Sequence, residues 1–404
     1  MSQQPPLLTE PREGLPELIV TDPGLATAAR RLAAGSGPIA IDAERASGYR
    51  YSQRAYLVQL RRANVGTMLI DPIPLGDLSE AAHAVGDVEW VLHAANQDLW
   101  CLAEVGMTPP SLFDTEVAAR LLGHPRVGLA PLIEEVLGQR LEKGHSAADW
   151  STRPLPESWL TYAALDVELL LELRDALAEE LSAAGKSEWA RQEFDAILAD
   201  GGRPRPRPEP WRRTSGLHHV RGRRPLAIVR SLWQARDELA RTRDIAPGRV
   251  LPDAAIIDAA LSRPTSVDAV MERPIFRGRA QRREADRWFR AIARAEELPE
   301  SDLPTHTVPT GALPPARTWR TRAPEAAARL QSVRSVLAEI TEETAVPAEN
   351  VLAPEAMRRL AWQPPDPPDT ESVAAALEAQ GARPWQRALV SARLAEGLSS
   401  GADP

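Results

Sequence analysis

The sequence predicts an α/β domain followed by two small all-helical domains, and three observations carry that expectation. Up to about residue 200, short apolar runs alternate with stretches whose apolar residues recur every three or four positions, as strands interleaved with helices do. Proline-rich segments then interrupt the chain at Gly201–Pro210 and again over 298–324. The two segments that follow these interruptions repeat one another: Glu238-Leu239, Ile245 and Val250-Leu251 match Glu339-Ile340, Val346 and Val351-Leu352 at a constant offset. With 404 residues, 43% of them hydrophobic, the chain has material for two or three domains with buried cores.

Taken in order, Pro38-Ile-Ala-Ile41 reads as a buried strand, 55–60 as a second, 67–70 as a third and 88–93 as a fourth. Apolar spacing predicts helices over 75–85, 97–105, 115–123, 128–138 and 157–183. The expected division is an α/β domain over 1–200, a Pro/Arg-rich linker over 201–224, helical domains over 225–297 and 325–404, and a Pro-rich linker over 298–324.

Composition narrows the function. The lone Cys101 cannot form an internal disulfide, and without a Cys-x-x-Cys pair a structural thiolate zinc site is excluded, which fits a reducing, cytoplasmic compartment. The first ten residues lack the basic start and apolar stretch of a signal peptide, and no run is long enough to span a bilayer. A net charge of −8 argues against coating nucleic acid through the overall field and leaves local patches open. Ala184-Gly-Lys-Ser187 is not an ATPase loop, because the first glycine of that motif would fall at Glu180.

Acidic-x-acidic pairs occur at Asp42/Glu44, Asp114/Glu116, Asp166/Glu168 and Glu284/Asp286, so spacing alone decides nothing. Asp42 and Glu44 follow an apolar strand, where i and i+2 share a face and can share a hard cation, or else form a solvated strand end. Asp114 precedes a helical pattern and reads as an N-cap. Asp98, after the fourth strand, reads either as a charge favoured at a helix start or as a site residue. Tyr162 and Asp166, spaced i, i+4, read as a surface pair or as part of the same site. Together these four carboxylates and one phenol are what phosphodiester hydrolysis with two divalent ions needs.

The order Ile39-Ala-Ile-Asp42-Ala-Glu44, His93-Ala-Ala-Asn-Gln-Asp98, then Trp150-Ser-Thr-Arg-Pro-Leu155 leading to Tyr162-Ala-Ala-Leu-Asp166, resembles the three exonuclease motifs of the DEDD superfamily. With Tyr56-Leu-Val-Gln-Leu60 also in place, it is similar to the ribonuclease D family, of the tyrosine-bearing branch. That resemblance implies a ribonuclease-H-like mixed sheet and 3′→5′ hydrolysis of RNA to nucleoside 5′-monophosphates. It also implies two Mg²⁺ or Mn²⁺ ions on Asp42, Glu44, Asp98 and Asp166, with Tyr162 positioning the water. The expected substrates are structured RNA precursors with a free 3′ end, tRNA among them. Ala43 departs from the threonine frequent in the family, with little effect expected on the ions and an altered contact to the terminal nucleotide as the consequence to look for. Leu232–Ala240 followed by Arg249-Val-Leu-Pro-Asp253 resembles the helicase-and-RNase-D C-terminal (HRDC) domain, with a weaker copy over 325–400. The same chemistry on DNA, and a noncatalytic nucleic-acid-binding adaptor, are the alternative readings.

Two basic stretches are candidate RNA contacts. Residues 203–224 carry eight arginines against Glu209. Residues 273–294 carry eight against Glu284 and Asp286, interleaved with Phe276, Trp288 and Phe289. Backbone neutralisation by Arg279, Arg282 and Arg283 plus aromatic stacking would suit single-stranded RNA, whereas the aromatics at helical spacing would equally serve a core. Lys143, in Leu141-Glu-Lys-Gly-His145, occupies a place where the family commonly has a lysine and is a candidate phosphate contact.

Overall fold

The computed structural model describes residues 5–142, 144, 147–203, 208–305 and 313–400. Eight strands occur among them. β1 (Leu7–Leu8) pairs in parallel with β8 (Arg140–Leu141) as a short ladder. The other six form one mixed sheet: β2 (Leu18–Ile19), β3 (Ser36–Arg45), β4 (Ala55–Ala63), β5 (Gly66–Ile70), β6 (Glu89–Leu92) and β7 (Ser111–Asp114). Its order is β2-β5-β4-β3-β6-β7, with β3–β4 and β4–β5 antiparallel and the remaining pairs parallel. This is the mixed-sheet α/β architecture that the sequence motifs imply.

The four expected strands map onto β3 to β6. β2 and β7 have no counterpart among the expected strands; pairing with β5 and β6 makes these short segments strands. The stretch 157–183 is two helices, Glu157–Glu168 and Leu170–Ala183, separated at Leu169. One face of the sheet, with Ile39, Ile41, Ala43, Val58 and Leu60, lies in the main core. On the other face Leu57 and Leu69 pack beneath the helix Glu157–Glu168 through Ala163 and Ala164.

The helical region repeats in space as it does in sequence. Helix Arg223–Arg243 corresponds to Pro324–Thr344, Pro247–Val250 to Ala348–Val351, and Asp253–Ser262 to Pro354–Trp362, all at a shift of 101 residues (Arg223 to Pro324). Both long helices end in a left-handed residue, Asp244 at φ 48° and Ala345 at φ 59°.

The two helical units attach differently. The first has its own core around Ile228, Leu232, Phe276 and Trp288. Trp211 is buried in that core and Pro210–Arg213 forms a short 3₁₀ helix, so the second half of the expected linker belongs to the folded unit. It meets the catalytic domain at the β3–β4 loop. There Ser52 N–H donates to Asp244 (2.8 Å), Arg249 Nε donates to the Gly48 carbonyl (2.7 Å), and the Arg249 guanidinium lies 3.9 Å from the Tyr49 ring centroid. The second unit shares one continuous core with the catalytic domain, Leu337, Val346 and Trp385 lying in the same cluster as Leu121, Leu181 and Phe194. Trp189 and Trp385 stack at 4.7 Å, and Lys186 Nζ donates to the carbonyls of Leu121 and Thr344, each at 2.6 Å. Among the described residues no helix is long and apolar enough to cross a membrane.

Because Lys186 ties two backbones together with charge-assisted bonds, Lys186→Met should cost about 1.5–3 kcal/mol. The loss should appear as a lower melting temperature and as faster amide exchange at the C-terminal end of helix Pro324–Thr344. Unchanged exchange there would mean that the shared apolar core alone holds the second unit.

Candidate active site

Asp42 and Glu44 leave β3 on the same face, opposite Gln59 and Leu57 of β4. Ala43 between them is buried in the main core on the other face, so its identity does not reach the carboxylates. The helix Glu157–Glu168 lies across β3, β4 and β5 and brings in Asp166. One oxygen from each of Asp42, Glu44 and Asp166 falls within 4.8 Å of the others.

What holds that helix in place is the Trp150–Leu155 segment. Arg153 grips Asp71, at the end of β5, through two bonds of 2.7 and 2.8 Å, and donates to the carbonyls of Trp150 and Tyr56 at 2.8 Å each. The segment therefore acts as a brace between sheet and helix.

Asp98 arrives from the neighbouring strand. After β6 the chain turns through left-handed Ala94 (φ 59°) and the 3₁₀ turn Ala95–Gln97. Asp98 occupies the N-cap position of helix Leu99–Glu104 but makes no side-chain cap hydrogen bond. Its buried carboxylate instead adds to the negative field at Glu44, and its Oδ1 lies 3.5 Å from Arg45 Nε. Asp114 holds the turn: its carboxylate accepts from the N–H groups of Ala94 and Ala95 while capping the next helix at Glu116 and Val117. The N-cap expected of Asp114 is thus present, with a second task added. The remaining acidic pairs stay outside the cluster, Glu168 on Arg61 and Glu284 on Arg243 and Arg287.

Burial raises every carboxyl of the group, and the charge of neighbouring carboxylates adds to the lift at Glu44, Asp98 and Asp166. Burial lifts Asp42, Asp98 and Asp166 above the usual carboxylate range, with Asp42's charge adding to the lift at Asp98 and Asp166. Glu44 is pushed up to about 10 by burial and by Asp42, Asp166 and Asp98. Tyr162, one turn before Asp166 and hydrogen-bonded to it, is raised above its ordinary value by burial and then by the adjoining carboxylates. Its ring lies against Gly144, where a Cβ would stand 3.1 Å from Cδ2. His93 bonds Thr115 at 2.9 Å and is lowered to about 4 by burial, a neutral packing residue.

Of the basic stretches, 273–294 presents Arg279, Arg282 and Arg283 exposed on the short helix Arg279–Arg283, without a carboxylate partner among the described residues. Of the two readings of its aromatics, stacking or core, the core one holds for Phe276 and Trp288, both fully buried, the indole N–H of Trp288 donating to Gln281. In the linker, Arg212 pairs with Glu209, while Arg223 and Arg224 bond carbonyls around Glu296–Leu303. Lys143 lies outside the described residues. Sequence reasoning passed over Arg45 and Arg153. Arg45 follows Glu44 and belongs by alternation to the opposite face, and the irregular register between Glu44 and Arg45 is what re-aims it.

Three family models match the chain. Residues 16–182 match one described as 3′–5′ exonuclease, 226–292 the HRDC domain, and 312–398 a 3′ to 5′ exonuclease C-terminal domain. Ribonuclease D of Gluconacetobacter diazotrophicus is 33% identical over 304 residues, covering 74% of this chain and 73% of its own length. A crystal structure of a Bifidobacterium adolescentis protein superposes with a TM-score of 0.89 at 41% identity, over 98% of this chain and 100% of that one. Escherichia coli RNase D, described as an exoribonuclease involved in structured RNA processing, superposes at 0.70 with 25% identity, over 95% and 99%. Carrying both the exonuclease and HRDC matches in one chain, and matched over about three quarters of its length by a ribonuclease D at 33% identity, this protein belongs to the ribonuclease D family of 3′–5′ exoribonucleases.

Proposed function

We propose that this chain shortens RNA from its 3′ end with two divalent ions, Mg²⁺ or Mn²⁺, held by Asp42, Glu44, Asp98 and Asp166, and with a water oriented by Tyr162. The observation that carries this reading is the convergence of Asp42, Glu44 and Asp166 oxygens within 4.8 Å, with buried Asp98 beside them. The donors suit the ions: hard carboxylate oxygens, no sulfur or imidazole in the group, and acidities weakened by burial and by one another's charge, which a cation would offset. Divalent ions there would acidify a water and neutralise charge on the attacking and leaving oxygens.

The chain's own groups supply position and protonation state. Asp42 and Glu44 are fixed by one strand and Asp166 by one helix, so their separation does not depend on a loop. Tyr162, its acidity weakened further by its neighbours, keeps its proton at neutral pH. It can therefore orient a water but not act as the base. Arg45 beside Asp98 supplies part of the counter-charge.

In this reading residues 1–200 catalyse, 225–297 and 325–404 are accessory helical domains, and 201–224 and 298–324 join them, the part of 201–224 from Pro210 onwards being packed into the first helical unit. Arg279, Arg282 and Arg283 contact the RNA backbone, supported by their exposure on the unit that also touches the β3–β4 loop. The substrates are structured precursors such as tRNA, in keeping with the structured RNA processing ascribed to the Escherichia coli relative, and the location is cytoplasmic. The hydrolysis needs no ATP, and Lys186 of Ala184-Gly-Lys-Ser187 is committed to two carbonyls.

Wild type with Mn²⁺ should turn a 5′-labelled single-stranded RNA into a descending ladder and release mononucleotide at once from a 3′-labelled one. Asp42→Ala should lower the rate more than about 100-fold, beyond the usual loss for an outer partner of a metal ligand. Equal activity would place the chemistry on other carboxylates. Replacing Arg279, Arg282 and Arg283 by alanine should weaken RNA binding and flatten the salt slope by about 0.7 for each phosphate no longer neutralised. An unchanged slope would remove the patch from the binding surface. Since Glu44 sits above its ordinary 4.5, the ion-free fold is favoured by this group at low pH and loses that advantage as pH rises from about 4.5 towards about 10. Glu44→Gln should therefore melt higher than wild type at pH 8 in chelator, by about 2–4 °C for each kcal/mol of repulsion relieved, and match it near pH 4. Equal melting at both pH values would show that Glu44 carries no such repulsion.

A further inference from the structure

Gln59 stands directly opposite Asp42 in the β3–β4 register, so both side chains leave the sheet on the same face. Directly paired residues of this kind have Cβ atoms about 4.5–5.5 Å apart. Gln59 is completely buried, and neither its amide nitrogen nor its amide oxygen has a hydrogen-bond partner among the described residues.

Its surroundings make that unusual. Across the next strand its partner is Leu69, and the preceding residue on its own face is Leu57, both packed apolar beneath Ala163 and Ala164. An apolar residue would fit the same layer without the cost of a buried, unpaired amide. The polar groups one step further along the face are fully engaged, Arg61 bonding Thr67 and pairing with Glu168 at 3.2 Å. Gln59 thus lies between an apolar layer, a satisfied ion pair and the carboxylate cluster, and only the cluster has acceptor capacity to spare.

We infer that Gln59 is a positioning residue for Asp42: its amide N–H donates to the Asp42 carboxylate when the cluster holds divalent cations, fixing which oxygen faces the ions. The inference rests on the ion-binding reading above. A neutral donor suits this place, because it orients a ligand without cancelling the charge that draws the cation. A lysine or arginine opposite Asp42 would compete with the ion instead.

The test uses the full chain, with Gln59→Leu, the more flexible near-isostere Gln59→Met, and Asp42→Asn beside them. The readouts are the rise in melting temperature with added Mn²⁺, and kcat and KM on a single-stranded RNA. Either Gln59 variant should melt in chelator at or above wild type, bind Mn²⁺ about 10–100-fold more weakly, and lose kcat with KM for RNA within about twofold. The two variants guard against one of them failing to fold for steric reasons. A merely structural glutamine would do the reverse, lowering the melting temperature in chelator and leaving Mn²⁺ affinity unchanged, and that result overturns the inference. Should Asp42→Asn abolish the Mn²⁺ response while both Gln59 variants keep it, the inference falls and the site stands. Should Asp42→Asn also keep it, the site reading falls with it.

Discussion

Mutual repulsion among buried carboxylates is the constraint around which the catalytic domain is built. Three acidic side chains with oxygens inside 4.8 Å, and a fourth beside them, would separate if each stood on a mobile loop. They stay together because β3 is bonded on both sides, antiparallel to β4 and parallel to β6, and because the helix above is braced by Arg153 on Asp71. The turn that delivers Asp98 is pinned in the same spirit, Asp114 accepting from four backbone N–H groups at once. Rigidity is spent where like charges meet, and a divalent cation is the counter-charge that relieves them.

The two helical units share a helix pattern but serve the catalytic domain differently. The second continues its hydrophobic core and is fastened by Lys186 and the Trp189–Trp385 stack, the arrangement of a permanent support. The first keeps a separate core and reaches the catalytic domain through polar and cation–π contacts to the loop that follows Glu44 and Arg45, with Tyr51 of that loop packed against the core. That unit carries the exposed arginines proposed above to contact RNA, and it touches the loop next to the acidic cluster.

Much of this is legible in the chain without its fold, for identifiable reasons. Asp42 and Glu44 can be paired because the period of a strand is two, and Tyr162 and Asp166 because a helix brings i and i+4 together. The 101-residue repeat survives because apolar positions and the left-handed helix ends recur in register (Asp244 and Ala345 among them). Less legible is anything decided by partners distant in sequence. The buried positions of Phe276 and Trp288 follow from the packing of a helical core, and a basic stretch with interleaved aromatics looks the same whether its rings face solvent or interior. β7 is a strand only because β6 lies beside it.

The sequence by itself determined the fold class and the presence of two related helical segments, because both depend on local period and spacing, and it showed the order of the acidic motifs through their resemblance to a known family. Tertiary structure alone decided that Asp98 turns from its helix towards the cluster, that Arg45 crosses to meet it, that Gln59 faces Asp42 without a partner, and that Lys186 joins two domains. Each of those depends on which strand or helix becomes the neighbour, and neighbourhood is a property of the packed chain rather than of any segment of it.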